Sequence, residues 1–400
     1  MFDRVQTTRH IARPTGVAPA DPSRTALVLS GGGARGAYQV GVLRGLVDIG
    51  VVPPGRSPFP ILVGASAGAL NAGMLAAYSD SFEGAVQHME ELWGGLRADQ
   101  VFRTDAMSIA SNGLLWARDL SLGGMFGHTA SRSLLNTAPL RTLLSQRVPC
   151  SRIQGNIDSG ALDALAMPAT DMYTADGVLF VQGRADTASW ERSRWSIEHT
   201  EITVDHLLAS SAIPVFFPPV HLGERYLGDG SIRNTAPLSP AIRLGAERIV
   251  AVGVRRSRLP HPPAVHRAGP PTLAQIASSL LDAVMLDAVE TDVEHSTRVN
   301  DGVARMPGGD GAAPLRWIDV LWLTPSASIR EIADRHKKAI PGMISYLMRG
   351  LGNDGSTTEL ASYLLFQSAF CLELMLLGRN DVQARSDEVR RFFEPVMTRS

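Results

Sequence analysis

Residues 61–78 read ILVGASAGALNAGMLAAY. Ile61–Val63 is a short apolar run with the look of a buried strand. Gly64–Gly68 forms a tight turn, and Ala69–Tyr78 is a helix rich in small residues. The same order stands just upstream. Thr25–Ser30 (TALVLS) is apolar and β-capable, stops at Gly31-Gly32-Gly33, and gives way to Ala37–Ile49, where Val40, Leu43, Leu46 and Val47 recur at helical spacing. Two consecutive strand–glycine turn–helix units predict an α/β fold with a mostly parallel sheet.

Outward from these units the alternation continues. Ser79–Val148 reads as helices and loops, and strands are predicted at Leu162–Thr170, Val178–Gln182, Tyr226–Asp229 and Arg248–Val254. Helices are predicted at Val204–Ser211 and Leu238–Gly245. Five prolines (260, 262, 263, 270, 271) then break the pattern. Beyond them the chain reads as mainly helical, with one strand at Trp317–Leu323 and an apolar run at Leu360–Leu377 taken as a buried or interface helix. These shifts divide the chain into a polar tail (1–24), a catalytic-type α/β unit (25–256), a Pro-rich linker (257–271) and a mainly helical C-terminal extension (272–400).

The chain has 400 residues with 38 Lys+Arg against 39 Asp+Glu, a net charge of −1. That balance supplies no field for a polyanion, so a nucleic-acid partner is not expected. Hydrophobic residues make up 44% and charged ones 19%, which excludes wholesale disorder. Cys150 and Cys371 are too few for a disulfide framework, and they fit a reducing compartment. The N-terminal residues carry no secretory-type apolar stretch and no clean 18-residue apolar span stands out, so a cytoplasmic protein is expected.

Gly64-Ala65-Ser66-Ala67-Gly68 is a G-x-S-x-G between an apolar strand and a helix, the context of a nucleophile elbow. The strained turn lifts the serine above the sheet edge, and the helix N-terminus offers N–H groups to an oxyanion. The pentapeptide by itself equally fits a small-residue turn that packs helix on strand. Gly31-Gly32-Gly33-Ala34-Arg35-Gly36 is a G-x-G-x-x-G at a second such turn. A dinucleotide site would want an acid at the end of the next strand. Ile61–Val63 instead runs into Gly64-Ala65-Ser66, so no cofactor is expected and an oxyanion loop is the better reading. No metal site is expected either. Asp229 closes a strand before Gly230-Ser231, either as a base at the sheet's C-terminal edge or as an ordinary Asx turn.

In this order the motifs resemble the patatin-like phospholipases. To the two glycine turns are added Ala169-Thr170-Asp171, Ala209-Ser210-Ser211-Ala212-Ile213-Pro214 with Phe217-Pro218-Pro219, and Asp229-Gly230. The resemblance implies a three-layer sandwich and a Ser66–Asp229 catalytic dyad that needs no histidine. It also implies an oxyanion hole at Gly31, Gly32 and Gly33 with Arg35 close by, and Gly64 and Gly68 as the frame of the elbow. One position departs: the family usually carries Gly or Ala after Asp-Gly, and here Ser231 stands.

The implied reaction is hydrolysis of a phospholipid or other acyl ester through an acyl-serine, with Val215, Phe216, Phe217 and Leu70 as candidate acyl-groove residues. Arg248–Leu281 holds five arginines (248, 255, 256, 258, 267) and no acid. That run fits either a peripheral membrane contact or a solvated loop. Two further readings stand beside the lipid acyl hydrolase. One is a Ser-His-Asp esterase of small esters with His261 or His266 as base, and the other is a lipid-binding regulatory protein on the same scaffold.

Overall fold

A computed structural model describes residues 20–103, 133–187, 189–257, 276, 279–280, 282–283, 285, 287–305, 315–337 and 361–394. The 1–19 part of the tail, the linker histidines His261 and His266, and Arg258 and Arg267 lie outside the described residues.

Nine strands form one sheet: β1 (Thr25–Leu29), β2 (Ile61–Gly64), β3 (Ala164–Asp171), β4 (Gly177–Gly183), β5 (Trp195–His199), β6 (Val220–Leu222), β7 (Arg225–Asp229), β8 (Arg248–Val252) and β9 (Asp319–Leu323). Their main order is β5-β4-β3-β2-β1-β8-β9, with β7 paired to β3 and β6 to β7. The core β3-β2-β1-β8-β9 is parallel throughout, whereas β4, β6 and β7 bring in antiparallel pairs. The strand at Trp195–His199 escapes sequence reading because it is partly exposed and carries no apolar run.

The interleaved helices are α1 (Ala37–Asp48), α2 (Ala67–Ala77), α3 (Phe82–Gly94), α4 (Ala98–Val101), α5 (Ala138–Arg147), α6 (Arg152–Asp158), α7 (Val204–Ser210), α8 (Ser239–Arg243), α9 (Asp287–Ala304), α10 (Ile329–His336), α11 (Ser368–Ala384) and α12 (Ser386–Phe393). They cover both faces of the sheet. In β1, Leu27 and Leu29 face the core shared with α1, α2 and α3, while Ala26 and Val28 face the core shared with α8 and α9. Such strands are buried on both sides, which is why they read as continuous apolar runs rather than alternating ones.

The chain beyond the linker region is built into this sandwich. β9 extends the sheet beside β8, and α11 packs along α1. That packing brings the two helix backbones together. A Cβ on Gly41 would stand 1.9 Å from the Met375 carbonyl oxygen, and one on Gly378 would stand 2.3 Å from that of Tyr38.

The structure corrects two expectations. The Leu360–Leu377 run is not one helix. Residues 361–364 are helical, the chain then extends so that Gln367 bridges Arg97 antiparallel, and α11 starts at Ser368. Arg248 is no surface cation: it opens β8, is 4% exposed, and its guanidinium lies 4.4 Å over the Phe392 ring. Of the described arginines in that run, Arg255 is partly buried and Arg256 exposed. Cys150 and Cys371 are both free thiols. Among the described residues, no helix is long and apolar enough to cross a membrane.

The α1–α11 contact sets a stability test. Gly41→Ala should destabilise the fold by about 2–3 kcal/mol, because two helix backbones must separate. Gly155→Ala, in α6 with nothing near its Cβ, should be neutral or stabilising by up to about 1 kcal/mol. Urea denaturation of both variants reads the difference, and equal effects would contradict the backbone contact.

Candidate active site

The two glycine turns meet at the C-terminal edge of β1 and β2, which run side by side with Leu29 opposite Gly64. Ala65 N–H donates to the Leu29 carbonyl at 3.1 Å, tying the second turn to the end of the first strand. Gly68 sits so close to β1 that a Cβ there would meet Leu29 O at 2.3 Å and Ser30 O at 2.6 Å. A Cβ on Gly64 would collide with Gly68 O at 2.2 Å. Both elbow glycines are therefore steric necessities. Between them, Ser66 has φ 53 and ψ −125, a conformation that costs a non-glycine residue about 1–3 kcal/mol. Ser66 is 1% exposed and caps the N-terminus of α2.

Asp229 reaches the elbow by topology. β2 ends at Gly64, after its Val63 has paired with Ala166 of β3. Further along β3, β7 takes the vacated place in the opposite direction, pairing Ala169 with Asp229. The strand therefore ends head-on to the turn that carries Ser66. The Asp229 backbone is fixed on both sides: its N–H donates to the Ala212 carbonyl at 3.0 Å, and its carbonyl accepts from Thr170 Oγ1 at 2.9 Å. Asp229 Oδ1 accepts from the Ser231 N–H at 2.8 Å.

The Asp229 side chain is fully buried. Burial pushes its carboxyl up to about 6, against hydrogen-bonding pulls from Ser66 and Ser231. Neither Ser66 Oγ nor Asp229 Oδ2 has a hydrogen-bond partner of ordinary geometry among the described residues. Yet the hydroxyl is near enough to lower the carboxyl.

The first glycine turn wraps the other side of Ser66. Gly32 (φ 149) and Gly33 (φ 58) hold conformations that favour glycine. Gln39 Nε2 donates to Ser30 O at 2.8 Å, Asn71 Nδ2 to Gln39 Oε1 at 2.8 Å, and Trp93 Nε1 to Asn71 Oδ1 at 2.9 Å. This buried chain locks the turn to α2 and α3. Arg35 engages the C-terminal segment: its Nε donates to Ser362 Oγ at 2.8 Å and its guanidinium lies 4.3 Å over the Tyr363 ring. Gly33 presses on the Tyr363 carbonyl, which a Cβ would approach to 2.3 Å.

An apolar cavity opens beside Ser66 and Gly33. Three helices wall it: α2 with Leu70 and Met74, α3 with Met89 and Trp93, and α5 with Leu140 and Leu144. Phe217 and Phe366 complete the lining. Of the groove residues expected from sequence, Leu70 and Phe217 line this cavity, whereas Val215 is half exposed and Phe216 only partly buried. The α3 and α5 contributors lie in Ser79–Val148, which the sequence shows only as helices and loops, because an apolar helix looks the same over a cavity as over solid core.

Ser210 stands in a motif quoted from sequence, but its role there was not legible: its Oγ accepts from the Ser66 N–H at 3.3 Å. Two of the described histidines have partners of their own. His206 Nδ1 accepts from the Thr203 N–H at the start of α7, and His221 stacks on Tyr226. Among the described residues, no group of three or more His, Cys, Asp or Glu side chains is placed to hold a metal ion.

Residues 27–242 match the family described as Patatin-like phospholipase. No curated protein matches the chain. Among solved structures, VipD from Legionella pneumophila is similar over 99% of this chain and 97% of its own, with 12% identity and a TM-score of 0.33. Human GIVD cytosolic phospholipase A2, in complex with methyl gamma-linolenyl fluorophosphonate, is similar over 92% of this chain and 59% of its own, with 12% identity and a TM-score of 0.38.

The buried carboxyl makes stability pH-dependent with a definite sign. Below about pH 3.8 Asp229 is protonated in both states. Between 3.8 and about 6 the unfolded chain ionises first, so stability falls as pH rises, and above about 6 the full penalty persists. Asp229→Asn should therefore stabilise the protein by about 3 kcal/mol at pH 8. Denaturation across pH 4–8 should show that gain shrinking towards pH 4, and a gain independent of pH would contradict a buried, raised carboxyl.

Proposed function

The chain belongs to the patatin-like phospholipase family, and from that premise we propose that it is a serine lipid acyl hydrolase working through a Ser66–Asp229 dyad. The observation that carries this reading is the convergence of a strained, buried serine, a buried carboxylate aimed at it, and an apolar cavity opening from the same serine.

In the first half-reaction the acyl chain lies in the cavity and its carbonyl rests over the Gly31–Gly33 turn. Asp229 takes the proton from Ser66 Oγ as that oxygen bonds to the carbonyl carbon. The glycine N–H groups and the N-terminus of α2 stabilise the oxyanion, and one such donor is typically worth about 3 kcal/mol of barrier. Collapse breaks the ester bond, the alcohol leaves with the proton from Asp229, and the acyl group stays on Ser66. Water then releases the fatty acid. Arg35 acts here as a positioning residue, holding the glycine turn against Ser362 and Tyr363. The raised pKa of Asp229 suits a base that must also return its proton.

The reading is tested with a fluorophosphonate and with phospholipid vesicles. Wild-type protein should be labelled at Ser66 and release fatty acid. Ser66→Ala should lose both, and Asp229→Asn should lose about 10³-fold or more in kcat/KM. For the wild type, kcat/KM should rise through an apparent pKa near 6. Esterase activity surviving in Asp229→Asn would sink the dyad.

The cavity also sets a length scale. Met74 stands seven residues beyond Ala67 on α2, about 10 Å along the helix, a distance spanned by about eight carbons of an extended chain. Met74→Ala should move the optimum of an acyl-length series towards longer chains. An unchanged optimum would place the acyl group elsewhere.

A further inference from the structure

On the sheet face away from the acyl cavity, a second, small cleft reaches the back of the same glycine turn. Val28, Val63, Met285 and Val289 make its apolar walls, and Ser231 and Asn234 supply polar groups beside Gly31. Ser231 is 6% exposed and Asn234 4%. Ser231 Oγ and Asn234 Oδ1 have no hydrogen-bond partner among the described residues. Buried polar groups of this kind are ordinarily met by an ordered water.

The position of Ser231 gives such a water chemical meaning. Its backbone N–H is bonded to Asp229 Oδ1 at 2.8 Å. A Cβ built on Gly31 would meet Ser231 Oγ at 2.4 Å and Ser66 Cβ at 3.1 Å. The hydroxyl thus adjoins the base, the nucleophile and the glycine turn together. The turn itself does not require it, since any residue supplies the backbone N–H. The cleft lies on the face opposite the acyl cavity, an approach for water separate from the acyl chain.

We propose that Ser231, with Asn234, holds the water that hydrolyses the acyl-Ser66 intermediate, an inference that rests on the serine-hydrolase reading above. The water oxygen bonds to the acyl carbon while one of its protons passes to Asp229. The tetrahedral adduct then collapses, the bond to Ser66 Oγ breaks, Ser66 takes the proton back from Asp229, and the fatty acid leaves. Ser231 and Asn234 act on the water and exchange no proton.

The test separates the two half-reactions, using a p-nitrophenyl acyl ester for turnover, a fluorophosphonate for the reactivity of Ser66, and the intact mass of quenched enzyme for the acylated fraction. In Ser231→Ala and Ser231→Gly, turnover should fall about tenfold, the loss expected for one hydrogen bond to a reacting group. The acylated fraction should rise, with fluorophosphonate labelling within about twofold of wild type. Asn234→Ala should move the same way. Unchanged turnover and acylated fraction would overturn the role of Ser231, and so would labelling and turnover falling together. Wild-type protein that is neither labelled nor acylated at Ser66 would instead bring down the hydrolase reading itself.

Discussion

The N-terminus of α2 touches the end of β1, and the site is arranged around that contact. A side chain on Gly68 has nowhere to go, because Leu29 O and Ser30 O already occupy the space. The helix can come so close only through a turn as sharp as Gly64–Gly68, and a turn that sharp forces Ser66 to a positive φ. The strain is carried by neighbours: Ala65 N–H bonds back to Leu29 O, and Ser210 Oγ holds the Ser66 N–H. The same approach leaves the first glycine turn beside the serine, where Ser66 and Ser231 both close on the space a Cβ of Gly31 would take.

A second constraint is electrostatic. Asp229 is a carboxyl with no exposed surface, and desolvation is the leading cause of its raised pKa. Such a group is an expense to the fold. Its backbone is accordingly fixed on both sides, by Ala212 and Thr170. The opposition to Ser66 comes from sheet topology, because β7 runs antiparallel into the place that β2 vacates. The C-terminal region adds a third restraint. Ser362 and Tyr363 hold Arg35 and Gly33, and Phe366 enters the cavity wall. Residues beyond the family match thus shape the site.

Much of the fold was legible because its strands are short, apolar and punctuated by glycine. The strand predicted at Thr25–Ser30 and the helix at Ala37–Ile49 each end one residue earlier in the structure. The misreadings share a cause. Leu360–Leu377 is mostly apolar, with Gln367 and Glu373 inside it, and composition cannot reveal that Gln367 breaks it by bridging Arg97. Arg248 looked like one of a run of cations, and only the fold places it beneath Phe392. Val215 and Phe216 sit among true lining residues in sequence, but Val215, at φ 71, is exposed and Phe216 packs on the core without lining the cavity.

By itself the sequence determined what local sterics and hydrophobic runs can encode: an α/β chain, two glycine turns that end neighbouring strands, and the residue types a serine nucleophile and its base require. Only the tertiary structure decided how these meet. The antiparallel return of β7 turns Asp229 towards Ser66, the meeting of three helices leaves a cavity rather than solid packing, and a distant segment clamps Arg35. Those outcomes depend on contacts between residues far apart in the chain, and residue order alone does not carry the distances at which such contacts are made.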